Sequence, residues 1–252
     1  DGLPLAIELA AAAVRVMSVA DIAQRIEQRL DLPPTRGRGV PDRHRTVMAA
    51  IDWSYARLAP AEQALFRRLS VFAGGFALEA AEAVCASEDG TGMEPSELLG
   101  LLAQLVDKSM VTVGENRGHA EYRLLESLRA FGGRALEAAG EADAFSLRHA
   151  TYVRIVLETD HPQRNRPGEA RWLDRVATAE ADVRAALSWS AAQGEEQAEL
   201  LARIALAMVR FWHVRDKQSE AEQWLGAVLA LGEVVAPPLR QQVLRESAAF
   251  AT

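Results

Sequence analysis

Apolar side chains recur every three or four positions through most of the chain, which is the spacing of one packed face of an amphipathic helix. In the first half, this spacing predicts helices over 46–58, 76–86 and 94–108. Another helix is predicted to start at Pro60 and to stop at Gly74 and Gly75, because adjacent glycines populate positive φ and end a helix easily.

Strand-like stretches occur at 110–113 and 120–124, and the turn-rich letters GENRGH join them. A further helix over 124–139, stopped by Gly140, follows the hairpin. Helices that run into a hairpin in this order are typical of a winged-helix module. We therefore predict a winged-helix domain over 45–141.

Residues 142–252 continue as a series of helices. The predicted ranges are 143–160, 167–177, 180–193, 195–214, 218–231 and 237–250. The pair 200–214 and 218–231 has the length of one helical-hairpin repeat of about 34 residues, with the small residues Ala205 and Ala221 where helices would cross closely. The predicted fold class is mainly α: a winged-helix domain with a small β-hairpin, followed by a tetratricopeptide-like (TPR-like) α-solenoid. A plain α-bundle is the alternative for the second part.

Ahead of the winged helix, two helices are predicted over 1–17 and 19–30, and the letters LPPTRGRGVPDR indicate a loop. We assign 1–32 to the end of a preceding helical subdomain and 33–44 to a linker. The chain starts without methionine and stops inside a helical pattern. We therefore expect it to be a piece of a longer protein.

The charge and composition of the chain argue against several classes of function. A formal net charge of -7 argues against a chain that coats nucleic acid or an acidic membrane through bulk electrostatics. Neither a signal peptide nor an 18-residue apolar span is present, so we expect a cytoplasmic protein without membrane contact. Cys85 lies in an apolar run and is expected to be a small buried hydrophobic side chain.

No catalytic residue and no metal ligand is predicted. The five histidines are far apart in the sequence, and none has the HxxxH or HExxH spacing of a metal site. They are His44, His119, His149, His161 and His213. The sequence also has no GxSxG motif and no Cys/His nucleophile pair that can be argued. We therefore expect this chain not to be an enzyme.

Four segments resemble the signal-transduction ATPases with numerous domains (STAND), in particular bacterial regulators that join an NB-ARC-like ATPase to helical repeats. The segments are GLPLAIELAA, AAIDWSYARLAPAEQALFRRLSVFAGGFALEAAEAVC, LLAQLVDKSMV and YRLLESLRAFGGRALEAAGE. In that family, an ATPase core precedes a helical subdomain with the GLPL motif, a winged helix and signal-sensing repeats. The resemblance implies that residues 1–32 end the helical subdomain and that this chain is the regulatory part of a nucleotide-switched transcriptional regulator.

The resemblance also implies ligands and partners. ADP or ATP with magnesium would bind in the full-length protein, whose own N-terminal ATPase core contacts this chain. A protein or small-molecule signal would bind the TPR-like repeats, and DNA would bind only through an effector domain outside this chain. No GxxxxGK[ST] motif occurs, so we expect this chain not to hydrolyse ATP by itself.

Two sets of candidate nucleotide-site residues are carried over from the family. The adenine-side set matches the GLPL motif and consists of Gly2, Leu3, Pro4 and Leu5, although an ordinary helix start explains these letters equally well. The second set is the turn that aligns with the family's Met-His-Asp, namely Leu124, Leu125 and Glu126, with Arg129 on the following arginine. Leu125 cannot hydrogen-bond as the family's phosphate-sensing histidine does. Glu126 and Arg129, three apart on a helix, are therefore expected to brace the domain.

A DNA-binding winged helix is the runner-up interpretation. Residues 43–139 carry 10 Arg and Lys against 13 Asp and Glu, a net charge of -3. Either 76–86 or 94–108 would enter a groove, and both carry carboxylates that repel phosphates. The local basic groups are Arg67 and Arg68, together with Arg36, Arg38, Arg43 and Arg45.

A TPR adaptor that binds a protein or peptide is a further alternative, because stacked helical hairpins create a concave surface. Four tryptophans lie within the predicted repeats: Trp172, Trp189, Trp212 and Trp224. Beside leucines and alanines at helical spacing, they are expected to be core residues rather than a ligand cage.

Overall fold

A computed structural model describes residues 47–86, 93–116, 118–159 and 168–250, with side chains from residue 51. The predicted helices of 1–32, the linker 33–44 and the GLPL motif lie outside the described residues. Two compact units can be separated. Unit 1 contains the described residues of 47–70 and 85–141, and unit 2 contains those of 71–84 and 142–250.

The described residues form helices and one hairpin, so the prediction of a mainly helical chain is confirmed. In chain order the elements are α1 Val47–Tyr55, α2 Pro60–Leu69, α3 Leu78–Cys85, α4 Pro95–Asp107, β1 Thr112–Asn116, β2 His119–Arg123, α5 Glu126–Ala138, α6 Ala142–Glu158, α7 Glu169–Thr178, α8 Glu180–Ala192, α9 Ala198–Val214, α10 Gln218–Ala230 and α11 Pro237–Phe250. Short 3-10 turns at Gly194–Gln197 and Gly232–Val234 precede α9 and α11.

Unit 1 is built around α2, which contacts both α4 and α5, while α1 contacts α5. Leu65, Phe66 and Leu69 are completely buried, because their spacing places them on one face of α2. Tyr55, Phe66 and Phe131 form an aromatic cluster with ring centroids 5.2 to 6.4 Å apart. Aromatic burial therefore joins α1, α2 and α5.

The C-terminal end of α2 differs from its prediction. The helix ends at Leu69, before the predicted stop at Gly74 and Gly75. The hydroxyl of Ser70 donates to the carbonyl oxygen of Arg67 at 2.6 Å. Such a local side-chain bond competes with continuation of the helix, so the glycine pair is not what ends it.

The predicted hairpin is confirmed. β1 and β2 pair antiparallel, from Thr112 opposite Arg123 to Asn116 opposite His119. The connection contains Gly118 at a φ of +83°, a conformation that favours glycine. All six letters of GENRGH are predicted to be turn, but the strands include four of them, namely 114–116 and His119.

The first strand begins at Thr112 rather than at the predicted Met110, because the end of α4 binds the intervening backbone. Ser109 adopts a φ of +57°, and the N–H groups of Met110 and Val111 donate to the carbonyl oxygen of Leu105 at 2.9 and 3.3 Å. These bonds satisfy a carbonyl oxygen that would otherwise have no hydrogen-bond partner at the end of the helix. Met110 and Val111 consequently become buried core residues rather than strand residues.

In unit 2, helices pack both on their neighbours in the chain and on helices one or two elements farther away. α9 contacts α8, α10 and α11, and α6 contacts α8 and α9. The small residues Ala205 and Ala221 are completely buried. Trp172, Trp212 and Trp224 are buried and Trp189 is partly buried, as predicted for core tryptophans. This packing is compatible with a TPR-like solenoid, and that finer assignment stays a prediction.

The packing of α5 on α2 can be tested at two adjacent glycines. A methyl group on Gly132 would lie 2.8 Å from Cβ of Ser70, whereas nothing lies within 4 Å of a methyl group on Gly133. We expect Gly132→Ala to lower the free energy of unfolding by about 1 to 3 kcal/mol through overpacking. Gly133→Ala should raise it by up to about 1 kcal/mol, since alanine is the better helix former. Urea denaturation measures both, and equal stability of the two variants would contradict the packing.

Candidate nucleic-acid interface

The outward face of α4 is acidic and partly apolar. Leu98, Leu102 and Leu105 are completely buried, so the opposite face is left to solvent. The exposed residues at and along this helix are Glu94, Ser96, Glu97, Leu99, Gly100, Ala103, Gln104 and Asp107. On α3, Glu79 is exposed and Glu82 is half-buried. The predicted exposure of carboxylates on the groove-reading candidates is largely confirmed, and such a surface repels phosphates.

Lys108, which follows α4, is held in an ion pair. Its Nζ binds Oε1 of Glu62 in α2, a buried carboxylate whose Oε2 accepts the N–H of Ala59 at 2.6 Å. Burial alone would raise the pKa of Glu62, but the bonds from Lys108 and Ala59 outweigh it and lower the pKa. The charge of Lys108 is therefore largely compensated within unit 1.

Arg123, at the end of β2, is the better candidate for contact with an anion. Its side chain is 60% exposed, and its ion pair with Glu121 is long, at 3.7 Å. His119, at the start of β2, is also exposed. Among the described residues between 94 and 123, five are Asp or Glu and two are Lys or Arg. The hairpin therefore offers more accessible positive charge than the helix does.

Arg67 and Arg68, predicted as local basic groups, are bound to one carboxylate. Oε2 of Glu141 lies 2.6 Å from Nε of Arg67, and Oε1 lies 2.9 Å from Nη2 of Arg68. Burial would raise the pKa of Glu141, but hydrogen bonds from the two guanidinium groups outweigh it and lower the pKa. This arginine pair holds unit 1 together and is not an open basic patch.

At the turn before α5, Leu124 is buried and Leu125 is half-buried. The predicted pairing of Glu126 with Arg129 is present, with two hydrogen bonds of 2.7 and 3.0 Å. The other nucleotide-site candidates, Gly2, Leu3, Pro4 and Leu5, lie outside the described residues. Nucleotide binding by either set remains a proposal.

Unit 2 contains a buried polar cluster that the sequence did not predict. Oδ1 of Asp182 in α8 accepts the N–H of Ala73 at 2.8 Å and lies 3.1 Å from Nε2 of His149. A methyl group on Gly74 would come within 3.0 Å of Oδ2 of Asp182, so this approach favours glycine. Asp182 is 33 positions from His149 and 109 positions from Ala73 along the chain. Helical or strand periodicity in the sequence cannot indicate contacts over such separations.

In the part of the chain that the structure describes, no group of three His, Cys, Asp or Glu residues is arranged to hold a metal ion. No helix there is both long enough and apolar enough to cross a membrane. Cys85 is completely buried, as predicted.

Residues 58–137 match the winged helix-turn-helix domain family. The match includes α2, α3, α4, the hairpin and most of α5, in the order that the sequence predicts. The chain contains a winged helix-turn-helix domain. The domain includes residues 71–84, which group with the C-terminal helices in unit 2.

The chain is also homologous to mycobacterial proteins. Over 229 residues it is 37% identical to proteins of Mycobacterium tuberculosis (strain ATCC 25618 / H37Rv) and Mycobacterium bovis that are named as HTH-type transcriptional regulators. The alignment covers 91% of this chain and 25% of each relative. A second protein of M. tuberculosis, whose name assigns no function, is 42% identical over 154 residues, which cover 61% of this chain and 39% of that protein. The chain thus spans about a quarter of the length of the named regulators.

The lowered pKa of Glu141 predicts that the free energy of unfolding depends on pH. Because the folded-state pKa of Glu141 is lowered, its contribution to stability is present above the ordinary glutamate pKa of about 4.3 and is lost as the pH falls through the folded value. Glu141→Gln should lower the free energy of unfolding by about 1 to 2 kcal/mol at neutral pH, and the difference from the wild type should shrink on acidification.

Denaturation from neutral to acidic pH measures this difference. Glu137→Gln, at an exposed position of α5, is the matched control and should have little effect at any pH. A loss in Glu141→Gln that stays constant with pH would contradict the ion-pair explanation.

Proposed function

We propose that this chain is the winged-helix and helical-repeat part of a transcriptional regulator, and that its winged helix contacts DNA. The match of residues 58–137 to the winged helix-turn-helix domain carries this proposal, and the names of the mycobacterial relatives support it. The resemblance to the STAND family implies that DNA binds only outside this chain. The comparisons favour the runner-up interpretation instead.

The surface charges limit how this contact is made. The outward face of α4 presents carboxylates, and Lys108 is paired with Glu62. We therefore place the main phosphate contact on the hairpin, at Arg123. With few accessible cations among the described residues of the winged helix, binding should be weak and should fall with salt, because each phosphate contact releases counterions.

Titration of the 252-residue chain with a random-sequence DNA duplex tests the proposal. We expect measurable binding at low salt, and Arg123→Ala should weaken it and reduce the salt slope by about 1. Arg245→Ala removes an exposed arginine of α11 as the matched control and should leave binding unchanged. No binding at low salt, or equal losses in the two variants, would contradict DNA contact at the hairpin.

A nucleotide-switched STAND regulator is the second candidate. It is favoured by the resemblance of four segments and by the bidentate Glu126–Arg129 pair, which braces the turn that aligns with the family's Met-His-Asp. In this proposal, ADP holds the longer protein closed between its ATPase core and this chain, and a signal on the repeats favours exchange to ATP. A switch of this kind requires different contacts in the two states.

Titration of fluorescent ADP into this chain and into the full-length protein tests the second candidate. We expect tight binding to the full-length protein only. There, Arg129→Ala should weaken binding by about twofold, because an exposed ion pair three residues apart on a helix contributes only about 0.5 kcal/mol. Arg245→Ala is again the control. Full-length protein that binds no ADP would exclude the nucleotide switch, whatever the DNA titration shows.

A further inference from the structure

Unit 2 contains a cavity of about 130 Å³. The residues 72–80 form one wall, and helices α6, α7 and α8 form the others. A dry engineered cavity of about 150 Å³ binds benzene, so this volume is suited to a single aromatic ring. Trp172 in the wall is 1% exposed, and its Nε1 donates to the carbonyl oxygen of Leu157 at 3.3 Å.

The lining is mostly apolar. Phe72 and Phe76 stack at a ring-centroid distance of 4.6 Å, and both line the cavity with Ala80, Val153 and Val176. Binding sites for small molecules combine such an apolar lining with a few convergent polar groups. The apolar walls would take up the ring and exclude water from it.

Four polar side chains also line this cavity: His149, Tyr152, Arg175 and Asp182. Asp182 uses Oδ1 for both Ala73 and His149, so Oδ2 remains as a second acceptor. Burial, together with the carboxylates Glu79 and Asp182, raises the pKa of Tyr152, so its phenol is neutral and can donate a hydrogen bond. The cavity therefore offers an acceptor at Asp182 and a donor at Tyr152 beside an apolar volume.

We infer that this cavity binds a small neutral molecule that has one aromatic ring and a hydroxyl group. The ring would lie against Phe72, Phe76 and Trp172, and the hydroxyl would bond with Asp182 or Tyr152. The buried Asp182 carboxylate would repel an anionic group beside it, whereas Arg175, the cation in the lining, lies at an exposed position. An anionic ring compound is therefore expected to bind less well than a neutral one. This inference does not depend on whether the winged helix binds DNA or the full-length protein binds nucleotide.

Because of the position of the cavity, a bound ligand should stabilise the packing of residues 72–80 on the helices of unit 2. Phe72, Phe76 and Ala80 lie within residues 58–137, the winged helix-turn-helix match, and they also belong to unit 2. A bound ring would contact these residues and the helices α6, α7 and α8 together. A ligand that binds these elements only when they are packed together should stabilise that packing.

The first experiment titrates the 252-residue chain with p-cresol, toluene and benzoate. We expect p-cresol to raise the thermal midpoint of unfolding and to slow hydrogen exchange of the amides of Val71–Val84. Toluene should bind more weakly by about twofold to tenfold, because it cannot form the hydrogen bond. Benzoate should bind least. Stronger binding of benzoate than of p-cresol, or no binding of any probe, would overturn the inference.

Two variants locate the site. Ala80→Leu fills the cavity and should weaken p-cresol binding by about tenfold or more, whereas Ala230→Leu, at an exposed position of α10, should not change it. Tyr152→Phe should reduce the preference for p-cresol over toluene. Unchanged p-cresol affinity in a folded Ala80→Leu variant would overturn the site.

A size series needs no variant and covers the case in which Ala80→Leu does not fold. 2-Naphthol, with two rings, exceeds the cavity and should not protect Val71–Val84 from exchange. Equal protection by 2-naphthol and p-cresol would overturn the one-ring site.

Discussion

Within unit 2, the position of residues 71–84 against α6 and α8 depends on a buried carboxylate. Asp182 is 6% exposed, and it holds the backbone of Ala73 and the ring of His149 through hydrogen-bond contacts. A carboxylate taken out of water costs several kcal/mol unless it is paired and hydrogen-bonded. The residues 71–84 and α6 therefore cannot leave α8 without a large penalty. The cavity follows from the same constraint, since 72–80 supplies one of its walls.

In unit 1, three positively charged side chains form ion pairs that hold α2 in place. Near the start of the helix, Glu62 is bound by Lys108, and at its end Arg67 and Arg68 are bound by Glu141. Both carboxylates have a lowered pKa, which means that the folded state favours their charged forms. Cations used in this way stabilise the domain and are less available to a nucleic acid. For this reason, the DNA contact that we propose is expected to be weak.

Residues 71–84 are assigned in two different ways, by the winged-helix match and by the division into compact units. This segment belongs to the stretch that matches the winged helix-turn-helix domain, and it packs with the C-terminal helices. The regulator that we propose would need an element whose contacts change with the signal. The segment is suited to that role, because a ligand in the cavity would contact it directly while the DNA-binding candidate Arg123 lies farther along the same domain.

The sequence by itself determined the local features: the existence of the helices and the hairpin, the stop at Gly140, and the burial of Cys85, Ala205 and Ala221. These features follow from residue spacing and backbone preference, which act over a few positions. Only the tertiary structure decided the partners of Arg67 and Glu62, the contact of His149 with Asp182, and the cavity. Such contacts join residues that are tens of positions apart, and their energies depend on burial that no local period encodes.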